Sequence, residues 1–566
     1  MKKTKNILVA LAVAILAAAC QTVEPIVIPE TENKPSTETE MVEVILTTAP
    51  VTRTSMADNG DILWSSTDSI AVVYNGTVYP FELFDGAGTT SAKFKGTVPA
   101  SDVAMGPVAA YYPYVQGMTF ANDLFSGFSV PTSQAYTAES FATDALPMSG
   151  AISNGIITFT AVAAIAKVNV TMESIECAEL TLGNNTYALT FDGLDASNGV
   201  NLIFVVDPGE YTSASIKFSD SFSAALTPKA ILAGKRYVLG GVAPVVQACG
   251  KYYASLAEAI AAVPTDGTKT TVTMLENETI AQGSSHYGVA TLSGQNIVLD
   301  LAGKTISGTD AKGGTYELIY NLADLEIMDS VGGGKISYAS TTPDGSWGYG
   351  TNTILNYKGT LTLTSGRIEN LTNGGASYSI DNSTNQYTAT FIMNGGTVAC
   401  PNGDQAVRLY CNSDTKVNTV TINGGEIETG GVWLQMPSGT ADRIGHLTIT
   451  GGTINGMLDF MSNDPTHAYA NITGGVFDAD KFRIRNGASS TPFVNISGGS
   501  FKTNVLDNQE TDIKGVALTG GLFNDQTFAE TFAANGYGAA PSGNATYPYM
   551  VIPANQAVTT SLGDWL

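Results

Sequence analysis

An all-β chain whose second half is a parallel β-helix is predicted by three observations. A glycine pair recurs through the second half at intervals of 22–32 residues. Short alternating strands separated by Gly, Asn and Asp fill the first half. Charged residues are only 14% against 60 glycines, a composition for strands and tight turns rather than long helices. At 566 residues the chain exceeds a single hydrophobic core, so more than one domain is expected.

The first 19 residues read as a lipoprotein signal peptide. Lys2, Lys3 and Lys5 precede thirteen apolar residues, Ile7 to Ala19, too few to span ~30 Å of hydrocarbon. Ala17-Ala18-Ala19-Cys20 resembles a bacterial lipobox, with leucine one place early at Leu16. The resemblance implies cleavage before Cys20 and a lipid on its sulfur. The expected location is therefore the outer membrane, lipid-anchored and exposed on the cell surface, with membrane contact only through that lipid. Residues 20–41 carry Pro25, Pro29 and Pro35 among glutamates and read as a flexible tether. With 51 Asp+Glu against 27 Lys+Arg the chain is at −24. Counterion-release binding needs the opposite sign, so no nucleic-acid partner is expected.

Residues 42–243 alternate as strands from Val42-Glu43-Val44-Ile45-Leu46 onward, the pattern of a β-sandwich. Thr52-Arg53-Thr54-Ser55, Leu63-Trp64-Ser65, Phe94-Lys95-Gly96, Ala110-Tyr111-Tyr112-Pro113 and Val130-Pro131 with Gln134 follow in order. Ile157-Thr158-Phe159 and Ala233-Gly234-Lys235-Arg236-Tyr237 complete the set. This series resembles the fimbrillin-like family of Gram-negative anaerobes, related to type V pilins. The resemblance implies two transthyretin-like β-sandwich lobes, about 42–150 and 151–243. It also implies protease processing at Arg53, which would free a groove for a donor strand from another fimbrial subunit. Asp68-Ser69-Ile70 and Asp329-Ser330-Val331 resemble O-glycosylation sites of these anaerobes.

Residues 244–545 carry the repeat. Gly or Ser followed by Gly stands at 365–366, 395–396, 424–425, 451–452, 474–475, 498–499 and 520–521. Gly333-Gly334 and Gly303-Lys304 extend the series upstream, giving nine anchors. In Val420-Thr421-Ile422-Asn423-Gly424-Gly425-Glu426-Ile427, Val420 and Ile422 share one strand face, the glycines turn a corner, and Ile427 returns to the same interior. One coil cannot bury that face alone; stacked coils can. Ser255-Leu256-Ala257-Glu258 opens a short capping helix, and Phe528 and Phe532 mark another before Asn535-Gly536. Tyr252 to Ile260, with Asn535-Gly536-Tyr537, resembles the β-helix modules of bacterial surface proteins, and the whole region a pectate-lyase-like right-handed parallel β-helix. Residues 546–566 are expected as a C-terminal tail.

Such β-helices include polysaccharide lyases and hydrolases, so an enzyme is weighed. Hydrolysis needs two carboxyls about 5–9.5 Å apart, and a lyase needs clustered acids for calcium beside a base. Asp478-Ala479-Asp480, Asp404 with Arg408, and Phe482-Arg483-Ile484-Arg485 are the nearest approaches, and they read as solvated surface charges. No catalytic residue is assigned. Cys177, Cys249, Cys400 and Cys411 fit no zinc spacing and His286, His446 and His467 stand apart, so no metal or cofactor is expected. Cys400 and Cys411 could pair or stay as buried thiols. Trp347, Tyr349, Tyr378 and Tyr387 supply aromatics among Ser, Asn and Gly in the longest coils, the expected ligand-binding loops. Trp433 is expected to face the core. The reading is a non-enzymatic cell-surface adhesin for a glycan or a host or bacterial surface. Its alternatives are a fimbrial subunit at a tip or base, and a β-helix polysaccharide lyase or glycoside hydrolase.

Overall fold

The computed structural model describes residues 39–50, 55–56, 62–220, 222–281, 286–310, 316–340, 351–373, 376–403, 405–437, 442–486, 491–503 and 515–556. The chain divides into two compact units, Met1–Ala243 and Pro244–Leu566.

The first unit is built from two sets of strands. Seven close into a barrel in the order Met41–Thr48, Ile156–Ala161, Met148–Ser153, Pro107–Tyr112, Ser69–Tyr74, Thr77–Asp85 and Lys93–Pro99. Its core explains the dispersed aromatic motifs. Trp64 is 1% exposed and meets Phe94, Tyr112 and Phe159 edge-on at 5.0, 5.4 and 5.7 Å. A side chain at Gly96 would collide with the Phe81 ring, hence glycine after Phe94-Lys95. The second set has a five-stranded sheet, from Ser133–Ala135 to Ser223–Ala225, and a three-stranded one of Leu194–Val206, Ala164–Ile175 and Arg236–Val242. Gln134 ties the two sheets: its side-chain amide donates to Val205 O at 2.7 Å and its carbonyl accepts from Val205 N at 2.9 Å.

The expected lobe boundary near 150 is displaced. Met148–Ser153 and Ile156–Ala161 both belong to the barrel, because Ile157 and Phe159 point into its core, and the chain changes sheets only between Ala161 and Ala164.

The second unit is a parallel β-helix of ten coils. Most coils lay one strand on each of three faces. The first-face strands run from Lys269–Met274 through Asn418–Ile422 to Val516–Leu518, all parallel neighbours. After the glycine corner comes the second face, from Glu278–Ala281 to Leu522–Phe523. The third runs from Tyr287–Ala290 through Ser377–Ser383, Gln405–Tyr410 and Val432–Gln435. In the later coils one strand, Thr453–Ser462 or Val476–Asn486, spans the second and third faces together. Ten stacked strands make a rod of about 43 Å.

Register puts like on like inside the rod. Leu363, Met393, Ile422, Ile449, Ile472 and Ile496 form one buried column, and Ile368, Val398, Ile427, Ile454 and Phe477 another. Each such side chain contributes about 1.5–3 kcal/mol by leaving water. The column ends in a stack: Phe477 and Phe501 lie 4.3 Å apart and Phe501 and Phe523 5.1 Å. At the third-to-first corner of the early coils the interior is polar instead. The Asn321 amide donates to Asn356 Oδ1 at 2.8 Å and the Asn356 amide to Asn382 Oδ1 at 2.6 Å, before Leu409 takes the column over.

Each glycine of a corner has its own cause. Gly452 sits at φ 85°, which side-chain-bearing residues rarely adopt, while a Cβ at Gly451 would strike the carbonyl oxygen of Asn423 in the coil below. The two upstream anchors are built differently. There the Asp329 carboxylate accepts from Gly303 N at 2.7 Å and Gly334 N at 2.6 Å, and Gly334 is not in the left-handed region.

Both ends are closed. Helix Leu256–Ala262, capped by Ser255, buries Leu256, Ala259 and Ile260; helix Gln526–Phe532, capped by Asp525, buries Phe528, Ala529 and Phe532. The segment read as a tail contributes instead to the cap. Tyr549–Pro553 pairs antiparallel with Tyr537–Pro541 and with Leu522–Phe523, because Val551 is apolar and buried against the last coil. Residues 557–566 lie outside the described residues.

Candidate functional site

The third face carries the chemistry, on its outward side. Strand alternation sends Val407, Val432 and Leu434 into the rod, so Arg408 and Trp433, in register as neighbours, point away from it. Register extends this outward column through Asp381, Arg408, Trp433, Asp459 and Arg483, one residue per coil. A second outward column, at the other end of the same strands, holds Glu317, Asn352, Tyr378 and Gln405.

These residues are buried although they lie outside the lumen. Glu317, Asn352, Asp381 and Gln405 are each at most 5% exposed, Arg408 is 9% and Asp459 is 0%. Trp433, Tyr378 and Ala376 form an apolar cluster separate from the main core. The reading of Trp433 as a core residue is therefore corrected: it is buried, but on the outward side. The reading of Arg408, Arg483 and Arg485 as solvated charges is corrected too. The Arg408 guanidinium donates to Gln435 Oε1 at 2.9 Å and lies 3.4 Å from Asp381 Oδ2. Its plane lies 4.8, 4.2 and 5.6 Å from the rings of Tyr378, Tyr410 and Trp433. Arg483 and Arg485 share the fully buried carboxylate of Asp459, Arg485 donating at 2.6 and 3.2 Å. Asp478, by contrast, is half exposed and pairs with Lys502 at 3.1 Å, as a surface charge does.

Burial without full pairing shifts the acids. Glu317 is pushed up to about 8, by burial first and then by the charge of Asp381. Burial also holds the Asp381 carboxyl above its ordinary range, against the pull of Arg408. Among the described residues, Glu317 Oε2, Asn352 Oδ1, Asp381 Oδ1, Gln405 Oε1 and Trp433 Nε1 on this face have no hydrogen-bond partner. The His286 ring nitrogen lies 4.0 Å from Glu317 Oε2, beyond hydrogen-bond reach. Each such buried group costs about 1–3 kcal/mol.

The other sites expected from sequence fall as follows. Tyr378 is a buried strand residue of this cluster rather than an exposed loop aromatic. Tyr387 is 38% exposed and closes a stack of Tyr287, Tyr320 and Tyr357, with centroids 5.5, 5.4 and 5.8 Å apart. In that stack the faces of Tyr287, Tyr320 and Tyr357 cover one another, and the Lys358 ammonium lies 4.8 Å from the Tyr387 ring. Few faces remain for a sugar. Cys400 and Cys411 are buried thiols with no disulfide between them, and burial pushes Cys411 up to about 12. Asp68 is 1% exposed and accepts from Ser65 N at 2.6 Å, and Asp329 is the corner carboxylate described above. Among the described residues Asp442, Asp464 and His467 alone converge as three possible metal ligands, at the protein surface. Cys20, Arg53, Trp347, Tyr349 and Asp404 lie outside the described residues.

No family model matches the chain, and no curated protein does. Among solved structures it is similar to a fimbrial protein from Bacteroides ovatus, 17% identical over 35% of this chain and 50% of that one. The chain thus spans half the length of that protein, with a TM-score of 0.22, at which no common fold follows.

Proposed function

We propose that this chain is a non-enzymatic, exported surface protein, held by a lipid on Cys20, whose β-helix binds a saccharide on its third face. One observation carries the binding. Among the described residues, four side-chain oxygens and one indole N–H stand buried and without hydrogen bonds on one outward surface, interleaved with Tyr378 and Trp433. Saccharides offer hydroxyls that both donate and accept, and apolar ring faces that stack on aromatics. A neutral apolar ligand would leave all five polar atoms unpaired.

The test is a glycan-array screen of the intact protein beside Asn352→Leu/Gln405→Leu. Saccharides bound by the wild type and lost by the variant support the reading; equal binding by both removes the third face from it. Release of reducing or unsaturated sugars from the bound glycans would overturn its non-enzymatic part.

The alternative of a fimbrial subunit is favoured by a different observation. Met41–Thr48 closes the barrel between Lys93–Pro99 and Ile156–Ala161 and precedes Arg53 in the chain. Cleavage after Arg53 would let that strand leave and expose two strand edges to a donor strand. A new N-terminus at Thr54 in protein from intact cells would support polymerisation over standing display.

A further inference from the structure

We propose that Asp442, Asp464 and His467 bind a divalent transition-metal ion, zinc above all, which clasps two neighbouring coils at the third-to-first corner. The three stand apart in the sequence, in no metal-binding spacing, and register brings them together. Gly445 and Ala468 are partners on the first face, so the residues just ahead of each arrive side by side at the corner. One ligand atom from each of the three lies within 4.8 Å of the other two. Tetrahedral zinc, with bonds of about 2.0–2.1 Å, holds its ligands roughly 3.3 Å apart. His467 Nδ1 and Asp464 Oδ2 already stand 2.7 Å apart. A small widening of that pair and a rotation of the exposed Asp442 side chain therefore complete a three-ligand shell.

The corner is held in shape by bonds that a metal would leave intact. Asp464 opens a tight turn, its backbone carbonyl accepting from His467 N at 3.2 Å and Ala468 N at 2.9 Å. Its Oδ1 accepts from Thr466 N at 2.9 Å, which leaves Oδ2 toward His467. The His467 carbonyl accepts from Gly445 N at 3.0 Å, and Ile444 N donates to Ser413 O at 2.8 Å, fixing the chain that carries Asp442. Charge at the corner is out of balance, since two carboxylates face one imidazole. Arg443, next to Asp442 in the chain, turns to the coil below, where its guanidinium donates to Asn412 O at 3.0 Å. Among the described residues, the ion pair of Asp464 is with His467 and neither carboxylate meets a lysine or arginine.

The donor set selects the ion. Calcium takes about six to eight oxygens, more than two carboxylates supply when one oxygen is committed to Thr466 N. Imidazole with carboxylate oxygen suits zinc and its first-row neighbours. On binding, the proton shared between His467 Nδ1 and Asp464 leaves Nδ1, and the neutral ring ligates through the freed lone pair. Three protein ligands leave a position for water.

The experiment is calorimetric titration of the full chain with Zn2+ and with Ca2+, beside Asp442→Asn and His467→Gln. Asparagine accepts the φ of 63° found at Asp442, and glutamine keeps the backbone bonds of the turn at His467. The wild type should take up one more equivalent of zinc than either variant, and should bind calcium at least tenfold more weakly than zinc. The exposed thiol of Cys249 is present in all three proteins, so zinc held there cancels in the comparison. Zinc should also raise the thermal unfolding midpoint of the wild type and not that of His467→Gln, with all three midpoints alike in metal-free buffer. Retention of the extra equivalent by either variant would overturn the site, and calcium bound as tightly as zinc would overturn the role of the imidazole. Zinc that leaves the wild-type midpoint unmoved would overturn the clasp, however the variants fold.

Discussion

At the scale of single residues, the third face holds acids where water would ordinarily be wanted. Glu317 keeps its proton when folded up to about 8, against an ordinary value of 4.5. Its folded pKa is raised, so the native state binds more protons than the unfolded chain between those values, and stability falls as pH rises from about 4.5 to 8. The loss amounts to a few kcal/mol, at about 1.4 kcal/mol for each tenfold difference in proton affinity between the folded and unfolded chain. Glu317→Gln, which keeps shape without an ionising group, should flatten the profile of unfolding midpoint against pH over that range. An unchanged slope would assign the pH dependence to other groups. Trp433 shows why such residues escape a reading of sequence. Val432-Trp433-Leu434 is an apolar run, and alternation places Trp433 opposite its neighbours only if the outward side is known to be buried too.

At the scale of elements, corners and ladders differ in how far they are written locally. The glycine corners were legible because both causes, φ at Gly452 and close approach at Gly451, act within a few residues of sequence repeated coil after coil. Gly452→Ala should cost about 1–2 kcal/mol through φ, with a tight 3.0 Å approach to the Gly425 carbonyl oxygen added to it. Gly451→Ala should cost more, because the coil below must also move; chemical denaturation compares them, and equal small losses would contradict the double cause. The asparagine ladder was not legible: Asn321, Asn356 and Asn382 are 35 and 26 residues apart, and only register brings them together. Asn356→Leu should destabilise by about 1–3 kcal/mol for each amide or carbonyl group left unpaired. Replacing all three by Leu should cost less than three times that, since Leu409 already fills the same column. The site on the third face shares the ladder's difficulty. Asp381 and Arg408 stand 27 residues apart, and the intervals between coils vary too much for a fixed offset to reveal them.

At the scale of the whole molecule, composition and repetition were enough for an all-β chain ending in a β-helix, whereas the barrel closure in the first unit was not. Closure depends on Met41–Thr48 meeting Ile156–Ala161, a pairing across more than 100 residues that no local pattern announces. Location and function follow from separate tests. Mass spectrometry of the N-terminus from intact cells should find a lipidated Cys20; a free cysteine or an uncleaved leader would remove the anchor.

The most direct test compares two surfaces of the same β-helix. Calorimetry with a saccharide selected on the array would use wild type, Asn352→Leu/Gln405→Leu on the third face, and Tyr357→Ala/Tyr387→Ala in the tyrosine stack. The account predicts at least a tenfold loss of affinity in the third-face variant and wild-type affinity in the stack variant. The reverse pattern would contradict it, moving the binding surface to the exposed tyrosines and leaving the buried polar face without a ligand.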